Sequence, residues 1–165
     1  MKKLVIVRHA KSSWDDESLS DFDRPLNHRG ERDAPRMAKR LKEKRVFPDI
    51  MISSPANRAL TTCRVMAGVL GFDSKKIRTE KKLYHASAAE IRSVLRELPD
   101  LNDDEEVVML FGHNPGLTEF VNLLLDETID NVPTCGVVGC TLSIEKWNGL
   151  NWGSGVIDYF DFPKK

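Results

Sequence analysis

Apolar residues in this chain are grouped in two ways, and each grouping predicts an element. Leu4, Val5, Ile6 and Val7 are consecutive, as are Val107, Val108, Met109, Leu110 and Phe111, and a shorter run closes at Met51-Ile52. Continuous runs without polar alternation predict strands buried on both faces, as in a parallel sheet covered by helices. They give strands over 3–8, 47–52 and 107–111, with a short one near 77–79. Elsewhere the spacing is helical. Ala34, Met37, Ala38 and Leu41 line one side of a helix over 31–45 whose Arg-rich and Lys-rich faces read as solvated. A second helix runs over 57–70 to Gly71, begun by Pro55 and the residues after it. Ala89, Ile91, Val94, Leu95 and Leu98 mark a third, stopped by Pro99, and Asn114-Pro115 reads as the cap and first position of a fourth through Phe120 and Val121 to Leu125.

After residue 137 the pattern changes again. Val137-Val138, a run over 141–147, the pair Asn148-Gly149 and a last run over 155–160 predict a closing antiparallel hairpin turned at Asn-Gly. Residues 11–23 carry Asp15, Asp16, Glu17, Asp21 and Asp23 with almost no apolar period, and predict a loop leaving the carboxyl end of the sheet. An acidic turn is expected over 100–106. The whole predicts an α/β fold of three αβα layers, with a mainly parallel sheet and an antiparallel C-terminal end, in one domain over 1–165.

Composition narrows the setting. With 165 residues and 41% hydrophobic content the chain can bury one good core. Lys plus Arg and Asp plus Glu stand at 25 each, so no general attraction to nucleic acid or membrane is expected, and any phosphate preference has to be local. No apolar run approaches about 20 residues, and the first strand follows Met1 directly, which predicts a cytoplasmic protein without a signal peptide. Cys63, Cys135 and Cys140 lack metal-ligand spacing and are read as buried or incidental thiols in a reducing compartment.

The chemistry gathers at strand ends. His9 and His113 each follow a buried run, and the carboxyl ends of parallel strands converge on one edge where a ligand can bind. Arg8 precedes His9, and Arg58 stands in the first turn of the 57–70 helix, where free N–H groups also favour an anion. Two guanidiniums and two imidazoles at one edge suit a phosphoryl group. Each residue alone has a plainer reading: His9 satisfied by the backbone, Arg8 and Arg58 as surface ion pairs, His113 as a helix cap. Arg24 is either a further phosphate ligand or a partner of Asp21 or Asp23. Trp14 and Tyr84 could edge the pocket or simply pack, and His28 is expected to be exposed. No Cys-x5-Arg, Walker loop or Gly-x-Ser-x-Gly elbow occurs, and Asp21-Phe22-Asp23 does not follow an apolar strand.

Taken together, Arg8-His9-Ala10-Lys11, Asp23-Arg24-Pro25-Leu26, Arg29-Gly30, Ser54-Pro55 with Arg58-Ala59, Leu83-Tyr84 and Gly112-His113-Asn114-Pro115-Gly116 resemble the motifs of the histidine phosphatase superfamily, also called phosphoglycerate mutase-like. Within it the order is similar to the short SixA-like phosphohistidine phosphatases. The resemblance implies a phosphoglycerate mutase-like fold and a phosphatase in which His9 is the nucleophile. Arg8 and Arg58 would bind the phosphoryl oxygens, and His113, if protonated, would add charge as the transition state forms. It implies a phosphorylated protein or a small phosphorylated molecule as substrate, and since the histidines lack a partner constellation for a metal, catalysis without metal or cofactor is expected.

The mutase branch has a proton-donating glutamate in a Leu-x-Glu pattern, whereas Leu83-Tyr84-His85 puts histidine at the apparent match. His85, Glu80 or one of Asp15, Asp16 and Glu17 could serve instead, and the sequence does not choose among them. A phosphorylated imidazole can take its proton from solvent and leave neutral, so protein phosphohistidine tolerates a missing acid better than an ester does. About 55 residues separate Arg58 from His113, too few for helical insertions, so an open pocket is expected. A small-molecule phosphomonoesterase and a phosphoprotein-binding module without turnover remain as alternatives.

Overall fold

The computed structural model describes residues 1–101 and 105–165, so the acidic turn expected at 100–106 lies partly outside the described residues. The chain forms β1 (Lys2–Arg8), α1 (His28–Glu43), β2 (Ile50–Ser53), α2 (Asn57–Leu70), β3 (Arg78–Thr79), α3 (Ala88–Arg96), β4 (Glu106–Gly112), α4 (Gly116–Leu125), β5 (Val137–Leu142) and β6 (Gly155–Asp161). The strands make one sheet in the order β3-β2-β4-β1-β5-β6. The first four strands in the chain pair in parallel, and β5 and β6 are antiparallel, as the sequence pattern predicts.

Alternation along the strands divides the interior in two. Leu4, Ile6, Val108 and Leu110 face α3 and α4, where Ile91, Leu95, Leu117, Phe120 and Leu124 pack on them. Val5, Val7, Met109 and Phe111 face α1 and α2, meeting Ala34, Met37, Ala38, Cys63 and Met66. Burial on both faces is what the continuous apolar runs require. The register of β1 on β4 places Arg8 opposite Gly112, and that of β2 on β4 places Ser53 opposite Phe111. His9, His113 and Ser54 therefore leave the sheet at one edge.

Local chemistry moves several boundaries. Helix α1 starts at His28, earlier than its apolar period suggests, because the Asn27 side chain accepts from the Gly30 N–H and caps it. Gly30 has no side chain to collide with the Lys11 carbonyl, so the helix start presses on the chain just beyond His9. Strand β2 begins at Ile50, and not at Phe47, since Pro48 lacks a ladder donor and Phe47 is exposed. Helix α2 keeps the predicted bounds of 57–70 and is closed by Gly71 in the left-handed region, but its cap is Ala56, so Pro55 lies outside it. Likewise α4 begins at Gly116 with Pro115 at the cap position. The Asn114 side chain still accepts from the Thr118 N–H and hydroxyl, so its capping chemistry is there with the helix displaced by one residue.

The closing hairpin differs most. Asn148-Gly149 is not a two-residue turn between strands; it lies in a 3-10 turn (Trp147–Gly149) inside the long connection from β5 to β6. Burial of Trp147 overrides the local turn signal: its ring is fully buried, its Nε1–H donates to Glu106 (2.7 Å) and its N–H to Asp100 (2.9 Å). Lys2, also buried, places its Nζ 3.0 Å from Asp100 and 3.7 Å from Glu106. This cluster clamps the amino ends of β1 and β4, the sheet edge opposite His9. Removing one member of a buried charge group leaves the others uncompensated. Glu106→Ala is expected to lower unfolding free energy by about 3–5 kcal/mol in urea titration. Turnover per folded molecule should be unchanged.

Candidate active site

His9 stands one residue past β1 and is almost fully buried. Its N–H donates to the Gly112 carbonyl (3.2 Å), tying it to the end of β4. Its Nδ1 lies 2.8 Å from the Ala10 carbonyl, which can only accept, so the proton is assigned to Nδ1 and the lone pair to Nε2. Ala10 is pinned in turn: its N–H donates to the Thr62 hydroxyl (3.0 Å), which donates to the Arg58 carbonyl (2.7 Å). The tautomer of His9 and the first turn of α2 are thus mechanically linked.

Around that ring stand donors with nothing to bind. Arg8 uses Nη1 on the Val132 carbonyl (3.1 Å), and its Nε is buried without a partner. Arg58 uses Nη1 and Nη2 on Asp21, and its Nε is likewise buried and unpartnered. The Ser54 hydroxyl accepts from the Ala56 N–H (3.2 Å) and contacts His113 Nε2 (2.8 Å), leaving His113 Nδ1 buried with no partner. The His9 and His113 ring centroids are 5.2 Å apart. A buried polar group without a partner costs about 1–3 kcal/mol, so three such nitrogens on neighbouring side chains mark a place built for an acceptor-rich ligand.

The cleft, about 240 Å³, is lined by Arg8, His9, Arg24, Arg58, His85 and His113, with Asp21 and Trp14 toward its mouth. Arg24 is buried, donating to Asp21 through Nε (3.2 Å) and Nη2 (3.0 Å) and to Ser12 through Nη1 (2.9 Å). Trp14, 71% exposed, stacks its ring 3.4 Å from the Arg24 guanidinium carbon. Tyr84 donates to Asp21 (2.7 Å) and stands edge-on to His113.

Burial dominates the electrostatics. Desolvation pulls His9 down to about 4 against the opposing pull of the Ala10 carbonyl, and Arg58, Arg8 and Arg24 push the same way. Desolvation also takes His113 down to about 3, helped by His9, Arg58 and His85 and opposed by Asp21. Both rings are therefore neutral in the free protein at pH 7. The condition set on His113, that it be protonated, is not met in the free protein: a charged ring is too costly in this desolvated, cationic surrounding unless an anion binds beside it.

Of the residues singled out from sequence, Arg8, His9, Arg24, Arg58 and His113 all reach this cleft. Arg24 combines both readings, since it also pairs with Asp21. Among the acid alternatives only His85 lines the cleft. Glu80 accepts from the Lys82 N–H, and Asp15, Asp16 and Glu17 are exposed. Trp14 and Tyr84 do border the site, and His28 is exposed. Sequence reasoning missed Ser54 and the place of Asp21. The Ser54-Pro55 strand end could have flagged the first, whereas nothing separates Asp21 from its neighbouring acids.

In sequence and in fold the chain is similar to known proteins. A model described as the histidine phosphatase superfamily (branch 1) matches residues 4–89. An uncharacterized chloroplastic protein of Arabidopsis thaliana is 33% identical over 143 residues, 81% of this chain and 63% of that protein. Phosphoglycerate mutase 1 of Saccharomyces cerevisiae is 39% identical over 67 residues, 39% of this chain and 27% of the mutase. The chain thus spans less than two thirds of either relative. In fold it is similar to the protein histidine phosphatase SixA complexed with tungstate, with a TM-score of 0.82 at 24% identity over 98% of this chain and 97% of that one. A mycobacterial glucosyl-3-phosphoglycerate phosphatase gives a TM-score of 0.71 at 15% identity over 96% and 97%. With a family model that spans more than half of its length, this chain belongs to the histidine phosphatase superfamily, in branch 1.

Proposed function

We propose that this protein is a phosphatase that removes the phosphoryl group from a protein phosphohistidine by way of a covalent intermediate on His9. The observation that carries the reading is the set of buried, unpartnered nitrogens, Arg8 Nε, Arg58 Nε and His113 Nδ1, beside a histidine whose Nε2 lone pair is free. Phosphoryl transfer needs charge stabilisation on the equatorial oxygens more than covalent help, and such donors supply it. The lone pair of His9 Nε2 forms a bond to phosphorus as the substrate's P–N bond breaks. The departing pair stays on the substrate imidazole, which leaves neutral once its other nitrogen carries a proton. Water then attacks the phosphorylated His9, phosphate departs, and the pair returns to Nε2 while Nδ1–H stays on the Ala10 carbonyl. His113 is neutral beforehand and takes up a proton from solvent as the dianion binds, so its stabilisation is strongest in the bound and transition states. Arg24 adds positive charge from the loop side. No step requires a metal. Free, buried thiols at all three cysteines fit a cytoplasmic setting.

A second reading, a small phosphomonoester as substrate, is favoured by one observation: His85 lines the cleft, where an imidazole could protonate an alkoxide leaving group. The two readings separate on kcat/KM measured for a phosphohistidine-bearing protein domain and for a panel of sugar and nucleotide phosphates, with and without chelator. The phosphohistidine reading predicts a clear preference for the protein substrate, unaffected by chelator. Preference for one ester would reject it.

Arg58→Lys removes the planar fork and the Nε donor while keeping the charge. A loss in kcat/KM of at least about tenfold, roughly 1.4 kcal/mol of transition-state stabilisation, is expected with the fold intact. Wild-type kinetics on every accepted substrate would exclude Arg58 from the site.

A further inference from the structure

Two cleft-lining arginines and Tyr84, which packs behind His113, end on one carboxylate. Asp21 Oδ2 accepts from Arg58 Nη2 (3.0 Å) and from the Tyr84 hydroxyl (2.7 Å), and Oδ1 accepts from Arg24 Nε (3.2 Å) and Nη2 (3.0 Å). The main-chain carbonyl of the same residue accepts from Arg58 Nη1 at 2.6 Å. Each terminal nitrogen of Arg58 thereby spends one N–H on Asp21, and the guanidinium nitrogen with no partner at all is the buried Nε. A guanidinium offers donors along more than one edge, and a long flexible side chain presents a chosen edge only when another contact fixes it. Here that contact is Asp21.

The same carboxylate reaches the neighbouring walls. Tyr84, anchored through its hydroxyl, stands 5.6 Å from His113 edge-on and 3.9 Å from the His85 ring. Arg24, anchored through two nitrogens, holds the Trp14 ring against its face. Burial would raise the Asp21 carboxyl, but the Tyr84 hydroxyl, Arg58 and Arg24 outweigh it and hold the group well below the usual carboxylate range. It stays ionised and acceptor-only at neutral pH, able to hold donors but not to give a proton.

We propose that Asp21 is a positioning residue of the phosphate site, whose carboxylate and main-chain carbonyl hold the end of Arg58 so that its Nε edge is preset for an oxyanion. The inference rests on reading the cleft as a phosphate site. Its rival is that Asp21 is an internal anion occupying the site, which a ligand has to displace. The geometry argues against displacement, because Asp21 takes one N–H from each terminal nitrogen of Arg58 and leaves Nε free, and it makes no hydrogen bond to Arg8, whose Nη1 is on the Val132 carbonyl. The two ideas predict opposite signs. A positioning group improves oxyanion binding, whereas a competing anion weakens it.

Asp21→Asn tests this, since an amide offers one acceptor oxygen where the carboxylate offers two. Binding of inorganic phosphate and of tungstate to the full chain is measured by calorimetry, together with kcat and KM on whichever substrate the wild type accepts. The expected result is oxyanion binding weakened at least about tenfold and a comparable fall in kcat/KM, measured at a temperature where the variant is fully folded. Tyr84→Phe, which removes one of the bonds to Asp21, should show a smaller loss in the same direction. The Arg58 Nε–H resonance, expected to be distinct in the wild type, should broaden or average in Asp21→Asn as the guanidinium loses its anchor, a change that general destabilisation would not localise to Arg58. Equal or tighter oxyanion binding by Asp21→Asn would overturn the proposal. A wild type that binds neither phosphate nor tungstate would instead overturn the reading of the cleft on which it stands.

Discussion

The parallel pairing of β1 with β4 is the constraint on which the rest of the structure depends. Two strands far apart in sequence finish at the same level, Arg8 opposite Gly112, and the next residue of each is a histidine. The hydrogen bond from the His9 N–H to the Gly112 carbonyl extends the pairing one step beyond the sheet. From that point the chemistry is set by short links: the Ala10 carbonyl fixes the His9 tautomer, Thr62 ties Ala10 to the Arg58 turn, and Ser54 at the end of β2 holds His113. The buried apolar runs that make the strands also make the edge that gathers these groups.

The cleft concentrates cationic side chains that are largely buried, and that arrangement has a cost in the free protein. Both histidines respond by staying neutral, and Arg8 is pulled below its ordinary value by burial first and by Arg58 second. Asp21 offsets part of the remaining charge. On the proposed reading a phosphoryl dianion would reverse the balance, supplying acceptors for the three unpartnered nitrogens and making a charged His113 favourable. Pre-arranged donors of this kind stabilise a transition state without reorganising during the reaction.

Much of this could be read in the chain. Strands with uninterrupted apolar residues leave little choice but burial on both faces, and a residue just past such a strand in a parallel sheet has to stand at the carboxyl edge. His9 and His113 follow directly, and Arg58 follows from its place at the start of a helix with clear limits at Asn57 and Leu70. Features decided by tertiary contact were not legible. Asp21 sits among similar acids in a loop without period, and only the folded chain brings it to Arg58 and Tyr84. The Asn148-Gly149 signal lost to the larger stabilisation of burying Trp147 against Glu106. The charge state of His113 depends on how far its ring is desolvated, which no local pattern encodes.

The central claim is that His9 carries the phosphoryl group, and rapid quenching of the enzyme with a labelled phosphorylated substrate addresses it most directly. Under alkaline quench conditions that preserve phosphoramidates, the account predicts label on a single peptide, attached to His9, at up to one equivalent and formed no more slowly than turnover. A folded His9→Ala protein should acquire none and release no phosphate. Label at another residue, or undiminished phosphate release by His9→Ala, would contradict the account.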